Sequence, residues 1–575
     1  MIRKDWKNIL LISVGSLCFF IPFLGSVHLF DWDEINFAEC AREMIVSGDY
    51  SRPQINYQPF WEKPPLFIWM QVVFMKLFGI NEFSARLPNA ICGLFSFLSF
   101  YIIGKKVNGE RFALTWILVY LGSFLPHFYF KSGIIDPWFN LFIFLGIYQA
   151  IKSSNNPNSK EGFYTAGLAG CFIGLAVLTK GPVALLLFGL SAGIFWISKK
   201  FALVSNIKNI LFFTLIFVLT GGSWFIFEII NGNFNVIVEF FQYQIRLMQT
   251  EDSGHGGFLL YHFVVLLIGC FPASIFFLGS FKNSDADTPF QKHTKRWMLI
   301  LFLTVLVIFT IVETKIVHYS SLCWIPLTYL ATYTILHLRN GFFNWKKWMG
   351  IGLLSISLIL GLAFTLVPLI DFFKPILLQP GFINDKFALE NIKADVKWNG
   401  TEWLIGLSFI ALFHYLAGQI IKGKIKMIYS IFGVTSIFIF LLSIIIVPKI
   451  EKYTQGAAIE FYESLNEQKV HLETVGFKSY AYLFYSKKTP EINNDELLKF
   501  IANEENKSGS IQNENQFKNF SIHSATYMLY GKLNYPAYFV IKVQDAEDFK
   551  KDYPQVKELY RKNGFVFLER KGNKE

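Results

Sequence analysis

The sequence predicts an α-helical polytopic membrane protein that ends in a small outer α/β domain, and three observations carry the prediction. Of its 575 residues, 53% are hydrophobic, 18% aromatic and only 17% charged, a balance that a single soluble globule of this length does not sustain. The 64 Phe fit lipid-facing helices with interfacial rings. Apolar runs alternate with short basic turns up to about residue 448, and polar content rises after it.

The elements follow in chain order. The run from Ile9 to Phe30 lacks a small-residue cleavage site and reads as a retained first helix. Basic clusters mark the cytoplasmic turns: Arg3, Lys4 and Lys7; Lys105, Lys106 and Arg111; Lys152 and Lys160; Lys199, Lys200 and Lys208; Lys292, Lys295 and Arg296; Arg339, Lys346 and Lys347; Lys422, Lys424 and Lys426. Apolar runs long enough to cross, or nearly so, lie at about 9–29, 84–104, 112–131, 134–151, 163–179, 181–198, 209–230, 258–280, 297–313, 316–337, 348–369, 402–421 and 427–447, since a span needs about 20 residues. That predicts thirteen crossings with the N-terminus inside and the C-terminus outside. The run from Pro64 to Gly79 is short and is expected to lie on, or dip into, the outer face. Residues 1–448 then form the transmembrane domain, with 31–83 as one large outer loop and further outer segments near 131–136, 180, 231–257, 314–316 and 370–401. Residues 449–575 mix period-two stretches ("AYFVIKV", "GFVFLER") with helical ones ("AAIEFYESLNEQ"), as expected of a small α/β domain.

Composition also excludes function classes. The net charge of +11 does not point to nucleic acid, because the basic residues sit mostly in short turns and form no basic-aromatic recognition motif. Cys18, Cys40, Cys92, Cys171, Cys270 and Cys323 are scattered without CxxC spacing, which argues against a disulfide framework or a zinc knuckle.

Charge on the outer side is the functional signal. Lys63, Arg86, Lys131, Lys180, Arg246 and Lys315 land at outer boundaries, against the positive-inside bias, beside Asp31, Asp33, Glu34, Glu39, Glu43, Glu62 and Asp136. Boundary charges are costly and mark function by default. Carboxylates and cations on one face suit a site that takes a proton from one reactant and steadies an anion on the other. Plainer explanations stand beside this one. Asp31 and Glu34 have capping-box spacing, Glu62 and Lys63 could be a surface pair, Lys180 could snorkel to the headgroups, and His255 in "SGHGGF" could be an unliganded loop histidine. A secondary transporter is the alternative from another class, although no internal repeat is visible.

Seven strings in order, "DEINFAECAREMIVSGDY", "FWEKPPLFIW", "SARLPNA", "IIDPWF", "LTKGPVALL", "GHGGF" and "TKIVHYSSLCWIPL", resemble the bacterial polyprenyl-phosphate-sugar glycosyltransferases of the GT-C fold. The similarity is to the 4-amino-4-deoxy-L-arabinose lipid A transferases and the related protein O-mannosyltransferases, over roughly residues 1–340. The resemblance implies a catalytic set of Asp33, Glu34 and Asp136, with Asp33 as the reacting carboxylate. It also implies a divalent metal ion (Zn or Mg/Mn) near Glu62 and His255, and places Lys63 in the Glu-Lys-Pro motif; the candidates for substrate binding are Lys63, Arg42, Arg86, Lys180, Arg246, Lys315 and Tyr319. The expected partners are a polyprenyl-phosphate-linked sugar donor, a lipid or protein acceptor and membrane lipids. The expected location is the bacterial inner membrane, with the site on its outer face. The chemistry asks for these types independently: a departing phosphate needs cations, and an acceptor hydroxyl needs a carboxylate to take its proton, with inversion in one displacement.

Overall fold

Long apolar runs closed by polar caps make the frame. The structure is a computed structural model and describes residues 2–60, 62–202, 205–249, 256–490 and 527–572. Helix α1 (Ile2–Phe20) leads to α2 (Asp33–Ser47), a short hairpin of β1 (Gln54–Ile55) and β2 (Gln58–Pro59), then α3 (Leu66–Phe78) and α4 (Glu82–Asn108). The Asn81 and Ser84 side chains close a reciprocal capping box at the start of α4, and Lys105 and Lys106 occupy its last turn. At about 1.5 Å per residue such a helix spans about 40 Å, more than a bilayer core. Lys105 bonds Asp5 of α1 and Glu110, which ties the basic end of α4 to its neighbours.

Among the described residues, six helices are long and apolar enough to cross a membrane: Glu82–Asn108, Lys160–Lys180, Pro289–Ile311, Lys347–Leu377, Trp403–Ile421 and Met427–Thr454. The pair Ile207–Gly221 and Ser223–Ile230, bent by 55°, makes a seventh if counted as one span. By length and composition this is fewer than thirteen, because several expected crossings are broken. The 112–131 run divides into Glu110–Leu121 and Phe124–Tyr129, the 258–280 run into Tyr261–Gly269 and Ala273–Phe277, and the 316–337 run opens in a 3-10 turn, Val317–Cys323. Irregular backbone at membrane depth is tolerated where it is buried in protein or lines a cavity. The short run near 64–79 is a 13-residue helix, α3, about 20 Å long and too short to cross.

After the last span the chain builds a four-stranded sheet, order β3-β4-β6-β5, from β3 (His471–Val475), β4 (Ala537–Lys542), β5 (Lys557–Lys562) and β6 (Phe565–Arg570). β3 and β4 are parallel and the other pairs antiparallel. Alternation along β6 sends Phe565 and Phe567 to one face and Val566 and Leu568 to the other. The second face has its own small core with Phe539 and Ile541. The first shares one continuous core with Ile35, Phe37 and Met44 of α2 and Phe67 and Val72 of α3. The segment from α2 to α3 and the C-terminal sheet are therefore packed together around one core.

Candidate active site

The site is built from the first turn of α2 outward. Trp32, with φ 72°, precedes the helix, and α2 starts at Asp33 with two acids in its first turn, where the helix dipole favours anions. The Asp31 carboxylate accepts from the N–H of Trp32 at 3.0 Å, and no side chain caps α2. The capping box expected of Asp31 and Glu34 is thus not formed: Trp32 holds the cap position, and Glu34 is engaged elsewhere.

Asp33 and Glu34 point to different partners. The Asp33 Oδ2 lies 2.9 Å from Nε2 of His318, with 30% of the Asp33 side chain still exposed. Burial pushes its pKa up, but His318, Lys63 and Lys180 outweigh burial and hold it at about 2, so the carboxylate is ionised at neutral pH. Glu34 instead makes a fork with Arg86, whose Nε and Nη2 donate at 2.9 and 2.8 Å. It also accepts from the N–H groups of Phe30 and Gly133. Burial would raise the Glu34 pKa; Arg86 and these bonds lower it.

The expected cations separate by how many donors the protein already uses. Arg86 spends all five N–H groups: two on Glu34 and three on the carbonyls of Leu24, Val27 and His28. Lys131 reaches the carbonyls of Phe19 and Phe20 at the end of α1 and of Pro22 just past it. Lys315 closes the end of the helix Pro289–Ile311 by donating to the carbonyls of Phe309, Thr310 and Val312. Arg42 is buried in a fork with Glu39 at 2.7 and 2.6 Å, beneath the β1–β2 hairpin and away from the cavity described below. Arg86 and Lys131 line the cavity described below, whereas Arg42 and Lys315 do not, and the bonds to Glu34 and the three carbonyls occupy every donor of Arg86.

Lys63 and Lys180 remain beside Asp33. Lys63 lies 5.8 Å from the Tyr243 ring and makes no hydrogen bond or ion pair among the described residues. Lys180 donates to Oδ1 of Asp136 at 2.6 Å and stands over the rings of Tyr319 and Phe139 at 5.4 and 5.5 Å. Asp136 also accepts from Ser321 Oγ at 3.2 Å. Arg246 packs over Tyr243 at 5.1 Å.

A cavity of about 790 Å³ gathers Asp33, Glu62, Lys63, Lys180, His318 and Tyr319 with apolar walls that include Phe23, Leu24, Val183, Leu186, Phe241, Ile308 and Val447. It places fixed charges next to an apolar trough. Glu62 contributes one carboxylate to this cavity, and His255 lies outside the described residues. Among the described residues no group of three His, Cys, Asp or Glu assembles to hold a metal ion. Two cavity residues escaped the sequence reading. His318 sits inside "TKIVHYSSL", and its signal was a titratable side chain at an outer boundary, three residues after Lys315. Asn36 lines the cavity one turn after Asp33 and is buried with its amide oxygen unpaired; nothing in its helical surroundings signalled that.

The family described as dolichyl-phosphate-mannose-protein mannosyltransferase matches residues 62–224. An undecaprenyl phosphate-alpha-4-amino-4-deoxy-L-arabinose arabinosyl transferase of Proteus mirabilis is 26% identical over 59% of this chain and 61% of its own. Its counterpart in Shewanella sediminis is 28% identical over 60% and 63%. The chain thus spans about three-fifths of the length of these two relatives. An uncharacterized protein of Aquifex aeolicus is 30% identical, over 60% of this chain and 74% of that one. The crystal structure of ArnT from Cupriavidus metallidurans bound to undecaprenyl phosphate superposes with a TM-score of 0.72 at 17% identity, over 98% of both chains, which establishes the shared fold. The chain belongs to the polyprenyl-phosphate-sugar glycosyltransferase family that contains these arabinosyl transferases and the dolichyl-phosphate-mannose-protein mannosyltransferases.

Proposed function

We propose that the protein transfers a sugar from a polyprenyl-phosphate donor to a hydroxyl on an acceptor at the outer face of the bacterial inner membrane, with inversion. The observation that carries this is the joining, in one cavity, of the Asp33 carboxylate and two lysines to an apolar trough. A lipid-linked donor needs both. Its isoprenoid chain takes the trough, and its phosphate meets Lys63 and Lys180 through charge-assisted hydrogen bonds. The acceptor oxygen attacks the anomeric carbon and gives its proton to Asp33 as the bond to the phosphate oxygen breaks, its electron pair leaving on the phosphate. Asp136 holds Lys180 for that role. The thirteen-crossing threading belongs to the same proposal, since it puts the first turn of α2 at headgroup depth outside, where the lipid holds the reactive carbon.

The names of the relatives make 4-amino-4-deoxy-L-arabinose on undecaprenyl phosphate the first donor to test, with lipid A as first acceptor and envelope glycans or proteins next. Protein reconstituted in liposomes with that donor should yield glycosylated lipid A by mass spectrometry. Failure with every lipid-phosphate sugar and acceptor, together with uptake of a solute, would replace the proposal with a transporter. The divalent ion expected of Glu62 and His255 is a separate measurement: elemental analysis should find it in the wild type and not in Glu62→Gln/His255→Ala, whether or not transfer is seen.

A further inference from the structure

The Asp33 carboxylate is held from one side. Nε2 of His318 meets Oδ2 at 2.9 Å, and among the described residues no second hydrogen bond or ion pair reaches the carboxylate. Both side chains line the cavity, as does the buried Glu34–Arg86 pair beside them. His318 belongs to the 3-10 turn Val317–Cys323, in which successive side chains leave about 120° apart. Four consecutive side chains of that turn reach four fixed points. His318 goes to Asp33, and Tyr319 lies under the Lys180 ammonium at 5.4 Å. Ser320 Oγ meets Nδ1 of the buried His262 at 3.1 Å, and Ser321 Oγ reaches Asp136 at 3.2 Å.

We propose that this turn sets the geometry of the reaction, and that His318 is the positioning residue for Asp33: its bond to Oδ2 selects one orientation of the carboxylate and leaves Oδ1 facing the cavity as the atom that takes the acceptor's proton. The inference rests on the transfer reaction proposed above for the role of Asp33. His318 makes and breaks no covalent bond in the step; it stays bonded to Oδ2 while the acceptor proton moves to Oδ1. The same turn registers the base against the phosphate-binding lysine, because Ser321 and Tyr319 contact Asp136 and Lys180 from three positions and one position after His318.

The test uses full-length protein with His318→Ala and His318→Gln, the second keeping an N–H donor at the end of the side chain. In the transfer assay His318→Ala should lower kcat by about 100-fold, the cost of a misplaced reacting group, with the donor KM nearly unchanged. His318→Gln should recover part of the loss, and His318→Ala added to Asp33→Asn should cost nothing further. Independent losses in that double variant would overturn the proposal. A second readout needs no substrate: labelling of Asp33 by a water-soluble carbodiimide, which modifies the protonated carboxyl, followed against pH by peptide mass spectrometry. The groups facing Asp33 are His318 from the turn, Lys63 before α3, Lys180 at the end of its helix and Tyr129 from the short helix Phe124–Tyr129. With His318 gone and the lysines kept, labelling should begin at higher pH than in the wild type. An unchanged labelling profile in both variants would overturn the role of His318 even in a preparation that transfers no sugar, whereas absent transfer with a shifted profile would count against the proposed reaction alone.

Discussion

A guanidinium or ammonium group serves a substrate only with donors the protein has not already taken. That criterion divides residues that look alike along the chain. Arg86 has none left, so Arg86→Met should strand the buried Glu34 and cost about 3–5 kcal/mol, read as a loss of thermal stability in detergent. Lys63 is tied to no described acceptor, so Lys63→Met should leave the melting temperature in place and weaken use of the donor by about 1.5–3 kcal/mol, the range for hydrogen bonds to charged groups. If both variants changed the same property, donor counting would be the wrong guide to these cations. Asp33→Asn keeps the shape and the His318 contact but removes the base, so transfer should fall about 100-fold or more; near-normal turnover by the folded variant would remove Asp33 from the reaction. None of this sorting is legible in sequence, because the carbonyls that occupy Arg86 belong to Leu24, Val27 and His28, some sixty positions earlier.

Elements were more legible where they are regular. The short 64–79 run is the helix α3 (Leu66–Phe78), "AYFVIKV" and "GFVFLER" are β4 and β6, and "AAIEFYESLNEQ" falls on the helix Gly456–Ser464, since apolar period and length decide such segments. What escaped are the breaks: the 3-10 turn Val317–Cys323, and the divided spans at 112–131 and 258–280. At the divided spans, carbonyls are met by side chains of the same run, His127 at Leu121 and Ser274 at Leu267, so apolarity continues through a stretch where the helix does not. Lys315 shows how such a break is managed. Its ammonium fills the carbonyls left open at the end of Pro289–Ile311, the place where helix ends favour a cation. Lys315→Met should therefore destabilise the protein by about 2 kcal/mol, through carbonyls left unpaired, and leave the donor KM unaltered. A large rise in KM at constant melting temperature would return Lys315 to the phosphate.

At the scale of the whole molecule, the helix that carries Asp33 is pinned to the C-terminal sheet through a buried charged cluster as well as the shared apolar core. Glu39, Arg42 and Glu43 of α2 face Glu473 of β3 and Lys488. Three carboxylates meet two cations, so the cluster is short of one positive charge unless it keeps a proton. Glu43 also accepts from the N–H groups of Asn56 and Tyr57 at 2.6 and 2.7 Å, in a hairpin turn whose two central residues have positive φ, so the same cluster fixes the β1–β2 hairpin. Burial raises the Glu43 pKa, and neighbouring Glu39 raises it further. Burial likewise lifts Glu473, opposed by Lys488, to about 7 from an ordinary 4.5. Glu473 is 2% exposed and one of its oxygens is unpaired. A folded-state pKa above the unfolded one means that the stabilising proton is fully bound in the folded form below the ordinary value. Its contribution is then lost as pH rises through about 7, by about 3 kcal/mol at most. Glu473→Gln supplies a permanently neutral side chain of the same size. Wild-type thermal stability in detergent should fall between about pH 5 and pH 8, while the variant's should stay nearly level over that interval and exceed the wild type's at the alkaline end. An equal fall in Glu473→Gln would place the retained proton on the Glu39–Glu43 pair instead, and Glu43→Gln would then be the variant that flattens the profile.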